Sequence, residues 1–380
     1  MYYLGLDVGT QGARAVVVDG RGVCYANASV DFAGKATVTD LPPGRQEQDP
    51  RVWATSLEHA ILQAVGQLDD VGVSAGDLAA AAVTSTSGTV LALDADGKPL
   101  RPALMYNDAR AGEEAAEVAR VGADHCARHG YRPGASFGLP KLLWLVRHEP
   151  ETVDGARHLV HATDYLTGRL CGRHGVSNAS DALKSCCDLF DQTWPAFLAE
   201  LGIPVEKLPR LHTPGDVLGV VDPGVAERLG LPPGLKICAG CTDGTAGFLA
   251  SGAAAPGESN TTIGTTLVLR TVSPDIVRDP DGRVYCHRHP DGAWLPGGAS
   301  SVGAECLRVR LPDCDLDALA EHAAGALPSD SLAYPLVRPG ERFPFVDPGA
   351  DGFFEPEPDS ETELYAAILQ GVAFVERWCY

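Results

Sequence analysis

The chain has 380 residues, 45% of them apolar and 21% charged, with 43 glycines and a formal net charge of −20. That length accommodates two or three domains, and the composition excludes a coiled coil or a disordered chain in favour of a loop-punctuated α/β protein. So large an acidic excess argues against nucleic acid and anionic membrane as partners, because phosphate backbones are held by Lys and Arg. It leaves a nucleotide open, since Mg²⁺ and backbone N–H groups can hold phosphates without net positive charge.

Residues 2–7, 13–18 and 22–27 read as three short strands. The joints at residues 9–12 and 19–22 are rich in hairpin residues, so the chain opens on a β-meander. A polar stretch, DLPPGRQEQDP, follows. Residues 52–68 then place Trp53, Leu57, Ala60, Ile61, Ala64, Val65 and Leu68 on one helical stripe. AAAVTSTSG and VLALD read as strands, with DADGKP as a turn. Residues 137–148 and 313–324 read as helices. PPGLKICAG leads a strand into CTDGTAGFLASG, which reads as a strand end, a turn and a helix start. A strand-rich start followed by alternating helices and strands indicates mixed sheets.

Residues 362–380 show helical periodicity through Leu364, Ile368, Val372, Val375 and Cys379. The helix stops without Gly, Asn or Pro, which leads to the expectation that sequence has been lost beyond Tyr380. The N-terminus has no basic, leader-like segment, and no apolar run reaches bilayer length. The 11 cysteines are an odd number scattered from Cys24 to Cys379, so the reading is a cytoplasmic protein with reduced thiols. Cys286, His287 and His289 fit no established metal spacing and read as ordinary strand residues.

Asp is a poor strand residue, so Asp7 at the end of an apolar strand needs a reason. The bend after it, with Gly9, Thr10 and Gln11, exposes backbone N–H groups as an anion cradle. A carboxylate beside bound phosphate requires a divalent cation between them, which makes Asp7 a Mg²⁺-side residue. Asp243 lies between a hydrophobic strand and a small-residue helix start, where a carboxylate can accept a proton from a hydroxyl or serve as a helix cap. Hydroxyls, amides and carboxylates at Thr86, Ser87, Asn107 and Asp108 suit a polyol ligand, or a solvated loop. Asp-x-Gly-Thr at residues 7–10, Asp-Gly-Thr at 243–245 and Ile-Gly-Thr-Thr at 263–266 form a loose echo, as two similar domains facing one nucleotide would give.

Taken together, LGLDVGTQGARAVVVD, TSTSGTVLALDADGKPLRPALMYNDAR, LPKLLWLVRHEPE, ATDYLTGRLCG, GCTDGTAGFLASGAAAPGE, TTIGTTLVLR and ILQGVAFVERW resemble the FGGY family of carbohydrate kinases, in family order over essentially the whole chain. TSGT, PALMYNDAR, CTDGTAGFLA, WLPGGAS and GERFPFVDP are similar to the D-ribulokinase group, once placed with the xylulose kinases. The resemblance implies an α/β, actin-like ATPase fold. Two RNase H-like domains would lie around a cleft: residues 1–252 sugar-binding, and residues 253–380 nucleotide-binding and incomplete, with the adenosine-binding segment missing. It implies ATP- and Mg²⁺-dependent phosphorylation of a primary sugar hydroxyl, with a homodimer among the assemblies considered. Asp243 matches the family's catalytic base. Asp7, Gly9, Thr10 and Gln11 match the first phosphate loop, with Asp7 on the metal. Gly264, Thr265 and Thr266 match the second loop, and Thr86, Ser87, Asn107 and Asp108, with Asp243, fall on the sugar side.

Ser301 and Val302 stand where the nearest group is expected to carry Asn and Thr, which bears on sugar selectivity. The expected reaction is D-ribulose to D-ribulose 5-phosphate, with a xylulokinase or another FGGY sugar kinase as the alternative. A catalytically inactive sugar-binding remnant and an actin-like filament protein are the readings from other classes.

Overall fold

Alternation of Leu4, Leu6 and Val8 with Gly5 and Asp7 gives the first strand one buried and one polar face. In the computed structural model, which describes all residues from Met1 to Tyr380, this strand, β1 (Tyr2–Val8), pairs antiparallel with β2 (Gly12–Asp19). β2 pairs antiparallel with β3 (Cys24–Asp31), completing the expected meander. Ala13, Ala15 and Val17 of β2 join Leu4, Leu6 and Val8 in one core. Helix α1 (Pro50–Gly66) lays Trp53, Leu57, Ala60, Ile61 and Ala64 into that core. It begins earlier than its apolar stripe because the Asp49 side chain caps the Arg51 N–H and Pro50 needs no acceptor.

The sheet then grows on its other side. β4 (Leu78–Ser85) runs parallel to β1. After β5 (Val90–Leu93), helix α2 (Gly138–His148), β6 (His158–His161), α3 (Ala162–Cys171) and α4 (Ala179–Ala182), the chain returns through β7 (Val217–Val220) to β8 (Lys236–Thr242). The strand order is β7-β8-β4-β1-β2-β3, with β8 parallel to β4. β5 and β6 pair in a smaller separate sheet. The register of β8 against β4 shifts between Cys238 and Cys241. A Cβ on Gly240 would lie 1.7 Å from the Val83 carbonyl oxygen, so only glycine allows this approach. Directly after Thr242 the chain enters α5 (Asp243–Ala250).

The chain divides into two compact units, one of Met1–Arg128 with Arg132–Ala250, the other of His129–Tyr131 with Ser251–Tyr380. The second unit is built on the antiparallel sheet β9-β10-β12-β11, formed by β9 (Ser259–Ile263), β10 (Leu267–Thr271), β11 (Tyr285–Arg288) and β12 (Trp294–Ser300). Leu267 and Leu269 of β10 share a core with Phe343 and with Tyr365, Ile368, Val372 and Val375 of the last helix, α7 (Glu361–Cys379). The preceding helix α6 (Leu316–Ala323) starts later than expected, because Asp315 caps the N–H groups of Asp317 and Ala318. A short ribbon of β13 (Leu332–Tyr334) and β14 (Phe353–Glu355) completes this unit.

Candidate active site

Three parallel strands of the first unit end side by side. Asp7 on β1 is in register with Thr84 on β4, and Thr84 with Cys241 on β8. Asp243, the first residue of α5, follows Cys241 by two positions and is exposed. Asp7 and Asp243 thus stand at the C-terminal edge of one sheet, on either side of β4. Clefts at such edges are the usual ligand sites of open α/β sheets.

Asp243 is held by what lies beneath it. Thr242 and Thr245 flank it in sequence, are buried at 1% and 0% exposure, and their hydroxyls share a hydrogen bond of 3.1 Å. The Ser180 hydroxyl of α4 completes the triangle, donating to Thr245 at 3.0 Å, pairing with Thr242 at 3.0 Å and accepting the Thr242 backbone N–H at 3.2 Å. This clamp fixes the strand-to-helix junction from a point 62 residues away in sequence. The Asp243 carboxylate accepts the Gly244 backbone N–H at 2.6 Å through Oδ1.

A second buried network adjoins the clamp. Ser85 of β4 shares a 2.7 Å hydrogen bond with Thr163, which donates to Asp181 at 3.1 Å. Burial, reinforced by the nearby Asp164 carboxylate, pushes the Asp181 carboxyl above the usual range. His161 links Asp164 through Nδ1 and the Ser185 hydroxyl through Nε2, both at 2.8 Å. Serine, histidine and aspartate here have the order of a hydrolytic relay, but Ser185, His161 and Asp164 are only 1%, 2% and 4% exposed. No substrate reaches them, and the chain of bonds serves to join β6, α3 and the segment after α4.

The first phosphate-loop candidates form the β1–β2 bend. The Gly9 N–H closes it on the Gly12 carbonyl at 3.0 Å, while the Thr10 and Gln11 carbonyls accept from Gln48 and the Phe32 N–H. Thr10 and Gln11 are exposed, and their own N–H groups are left for an anion. Asp7 binds Arg14 through one carboxylate oxygen, Oδ2, at 2.8 Å. The Arg14 side chain is 58% exposed, so this pair is weak and displaceable. One uncommitted carboxylate oxygen beside an N–H cradle fits Mg²⁺, which takes one or two carboxylates together with waters and phosphate oxygens.

The sugar-side candidates sit on loops of the same unit. Thr86 is buried and hydrogen-bonds Thr89 at 2.8 Å, and Thr89 accepts the Tyr106 N–H at 3.1 Å. The hydroxyls of Thr84 and Ser87 are buried and have no partner. Unsatisfied hydroxyls are costly unless something else pairs with them, which makes both candidates for a ligand's groups. Asn107 is exposed. Asp108 is only 1% exposed, and its carboxylate accepts from the Gln46 N–H, the Arg110 N–H and the Arg110 guanidinium. Burial alone would push the Asp108 carboxyl up, but Arg110 and the backbone donors outweigh it and hold it below the usual range. Asp108 therefore fixes the shape of this loop and leaves the outward position to Asn107.

Sequence reasoning passed over Lys141. It lies on α2, is 0% exposed, and donates Nζ to the carbonyls of Gly88 at 3.0 Å, Ser136 at 3.2 Å and Tyr106 at 3.4 Å. Those carbonyls border Ser87, Asn107 and the start of α2, so one side-chain nitrogen ties three loops together. Burial pulls its pKa down to about 7, with the positive charge of Lys184 adding to the effect. Its signal was a lone lysine on the apolar stripe of FGLPKLLWLVRH. Ser180 and Thr163 left none, because their partners are remote in sequence.

In the second unit, Gly264, Thr265 and Thr266 form the β9–β10 turn, closed by the Gly264 N–H on the Thr266 carbonyl at 3.0 Å. Gly264 and Thr265 are exposed. The turn rests on Gly303, where a Cβ would come within 2.5 Å of the Thr265 carbonyl oxygen. Cys286 is buried and exchanges hydrogen bonds with the backbone of Val277, which accounts for it without a metal. No helix is long and apolar enough to cross a membrane.

A family model described as the FGGY family of carbohydrate kinases, N-terminal domain, matches residues 2–250. A xylulose kinase of Streptomyces coelicolor is 33% identical over 304 residues, which are 77% of this chain and 59% of that protein. A xylulose kinase of Klebsiella pneumoniae is 29% identical over 383 residues, covering 98% of this chain and 77% of that protein. The crystal structure of a xylulose kinase from Rhodospirillum rubrum superposes with a TM-score of 0.84 at 28% identity, covering 100% of this chain and 78% of that one. The chain spans 59% of the length of the Streptomyces relatives. By the match over its first unit and by its actin-like α/β fold, the chain belongs to the FGGY family of carbohydrate kinases.

Proposed function

We propose that the chain catalyses ATP-dependent phosphorylation of a primary hydroxyl of a ketopentose, with D-ribulose giving D-ribulose 5-phosphate. The observation that carries the reading is the placement of Asp7 and Asp243 at one edge of one sheet, flanking β4. Asp243 takes the proton from the attacking hydroxyl. Asp7, with the N–H groups of Gly9, Thr10 and Gln11, holds the phosphate side, and Asp7 is the residue for Mg²⁺. That ion neutralises phosphate charge when bound. Ser87 and Asn107 address the sugar's hydroxyls directly, and Thr86 and Asp108 hold their loops. Gly264, Thr265 and Thr266 form the second unit's phosphate loop, and residues 253–380 carry the nucleotide role. The proposed setting is the cytoplasm, and a homodimer is the proposed assembly.

The names of the relatives favour a second sugar, D-xylulose. The two pentuloses differ at one carbon, so a hydrogen bond or two decides between them. A coupled ADP-release assay with each pentulose tests the reading. A higher kcat/KM for D-ribulose supports it, a higher value for D-xylulose transfers the assignment to that sugar, and sugar binding without turnover supports an inactive binding protein.

A further inference from the structure

The polar face of the second unit's sheet carries a concentration of positive charge unexpected in a chain of net charge −20. β10, β12 and β11 lie side by side, with Gly297 of the central strand in register with Arg270 on one neighbour and Tyr285 on the other. Gly297 has no side chain, and a Cβ there would come within 2.6 Å of Arg270 Cγ. The result is a depression of about 230 Å³, lined among others by Arg270, Arg283, Arg342, His287 and Tyr285.

The arginines are held in different ways. Arg283 is forked onto Asp279 at 2.9 Å and reaches Asp281 at 3.2 Å, so much of its charge is answered. Arg270 contacts His287 Nε2 at 3.3 Å. Arg342 is exposed and donates its Nε–H to the Ala299 carbonyl at 2.8 Å. The neighbouring Glu341 does not answer it. Its carboxylate is buried and accepts from the hydroxyls of Ser300 and Tyr334 and from the Ser301 N–H.

We propose that this depression binds a phosphate-class anion, either inorganic phosphate or a small phosphate monoester. Guanidinium groups match phosphate oxygens in pairs, which suits Arg over Lys for this task. The volume suits a small anion and is below that of pockets for larger organic ligands, which start at about 300 Å³. The surrounding acidic protein repels anions in general, so occupancy here depends on the arginines themselves. The site is distinct from the candidate phosphate loops at residues 9–11 and 264–266 and does not rest on the kinase reading.

Calorimetric titration of the 380-residue chain at low salt, with inorganic phosphate and separately with D-ribose 5-phosphate, tests the proposal. Saturable binding of either probe is expected, weakened at least tenfold in Arg342→Gln and in Arg270→Gln, and less in Arg342→Lys. Tighter binding of the ester identifies a monoester site, and equal binding a site for the free ion. Should a variant fail to fold, protection of Arg342 and Arg270 from phenylglyoxal by the same probes in the unaltered protein gives the answer. Absence of saturable binding, binding unchanged in both glutamine variants, or no protection of either arginine overturns the proposal.

Discussion

Asp7, next to the last residue of β1, and Asp243, directly after β8, stand at one edge of a parallel array, separated only by the strand that carries Thr84. Two strand spacings place the backbones of Asp7 and Cys241 about 10 Å apart, and Asp243 follows Cys241 by two positions. Asp243→Asn keeps the shape of the junction and removes the proposed proton acceptor. The expected outcome in a coupled ADP-release assay is a loss of at least about 100-fold in kcat, with pentulose affinity by calorimetry within a few fold. Asp7→Ala is expected to raise the KM for Mg·ATP more than the KM for the sugar.

Ser180→Ala tests the clamp without touching the reacting groups. It removes the third corner of the triangle with Thr242 and Thr245 and leaves the Thr242 N–H without its acceptor. A stability loss of about 1–3 kcal/mol is expected from the unsatisfied buried groups, measured by urea unfolding. Because the proposed base moves while the proposed sugar loops stay, kcat is expected to fall with the sugar KM nearly unchanged.

Gly240→Ala tests the bulge that aims β8 at the site. Its methyl would sit 1.7 Å from the Val83 carbonyl, a backbone atom that cannot swing aside. Separating β8 from β4 there is expected to cost about 3 kcal/mol or more, read as a lowered melting temperature. A variant melting with the parent protein would show that the two strands do not approach as described.

Lys141 gives a prediction in pH. Its pKa falls from the ordinary 10.5 to about 7 in the folded protein. Between those values the unfolded chain binds more protons than the folded one, so the Lys141 contribution rises with pH across that window. The slope is at most about 1.4 kcal/mol per pH unit. Urea unfolding at pH 7, 8 and 9 is expected to show this rise in the parent and its loss in Lys141→Met. That variant leaves three carbonyls without their donor and is expected to raise the pentulose KM through the loops bearing Ser87 and Asn107.

The meander and α1 could be read from the sequence because their patterns are local: Leu4, Leu6 and Val8 alternate, and Trp53, Leu57 and Ile61 recur at helical spacing. The position of Asp243 at a strand-to-helix junction is legible for the same reason, as a carboxylate where an apolar run meets small residues. Asp108 drew notice as a polar residue at a strand end, but its loop turns the carboxylate inward onto Arg110 and Gln46. Composition carries no sign of that turn. Ser180 and Lys141 escaped because each acts through contacts whose other halves lie on distant segments. The depression lined by Arg270 and Arg342 escaped because the two are 72 positions apart and come to one place only in the folded chain.

Pentulose-dependent ADP formation by the 380-residue chain and its Asp243→Asn variant, each with calorimetric pentulose binding, tests the assignment of the sheet edge most directly. The account predicts that the parent forms ADP only when pentulose is present, and that the variant binds pentulose but does not turn over. A variant that retains near-parental turnover, or a parent whose ADP formation ignores the sugar, would contradict it.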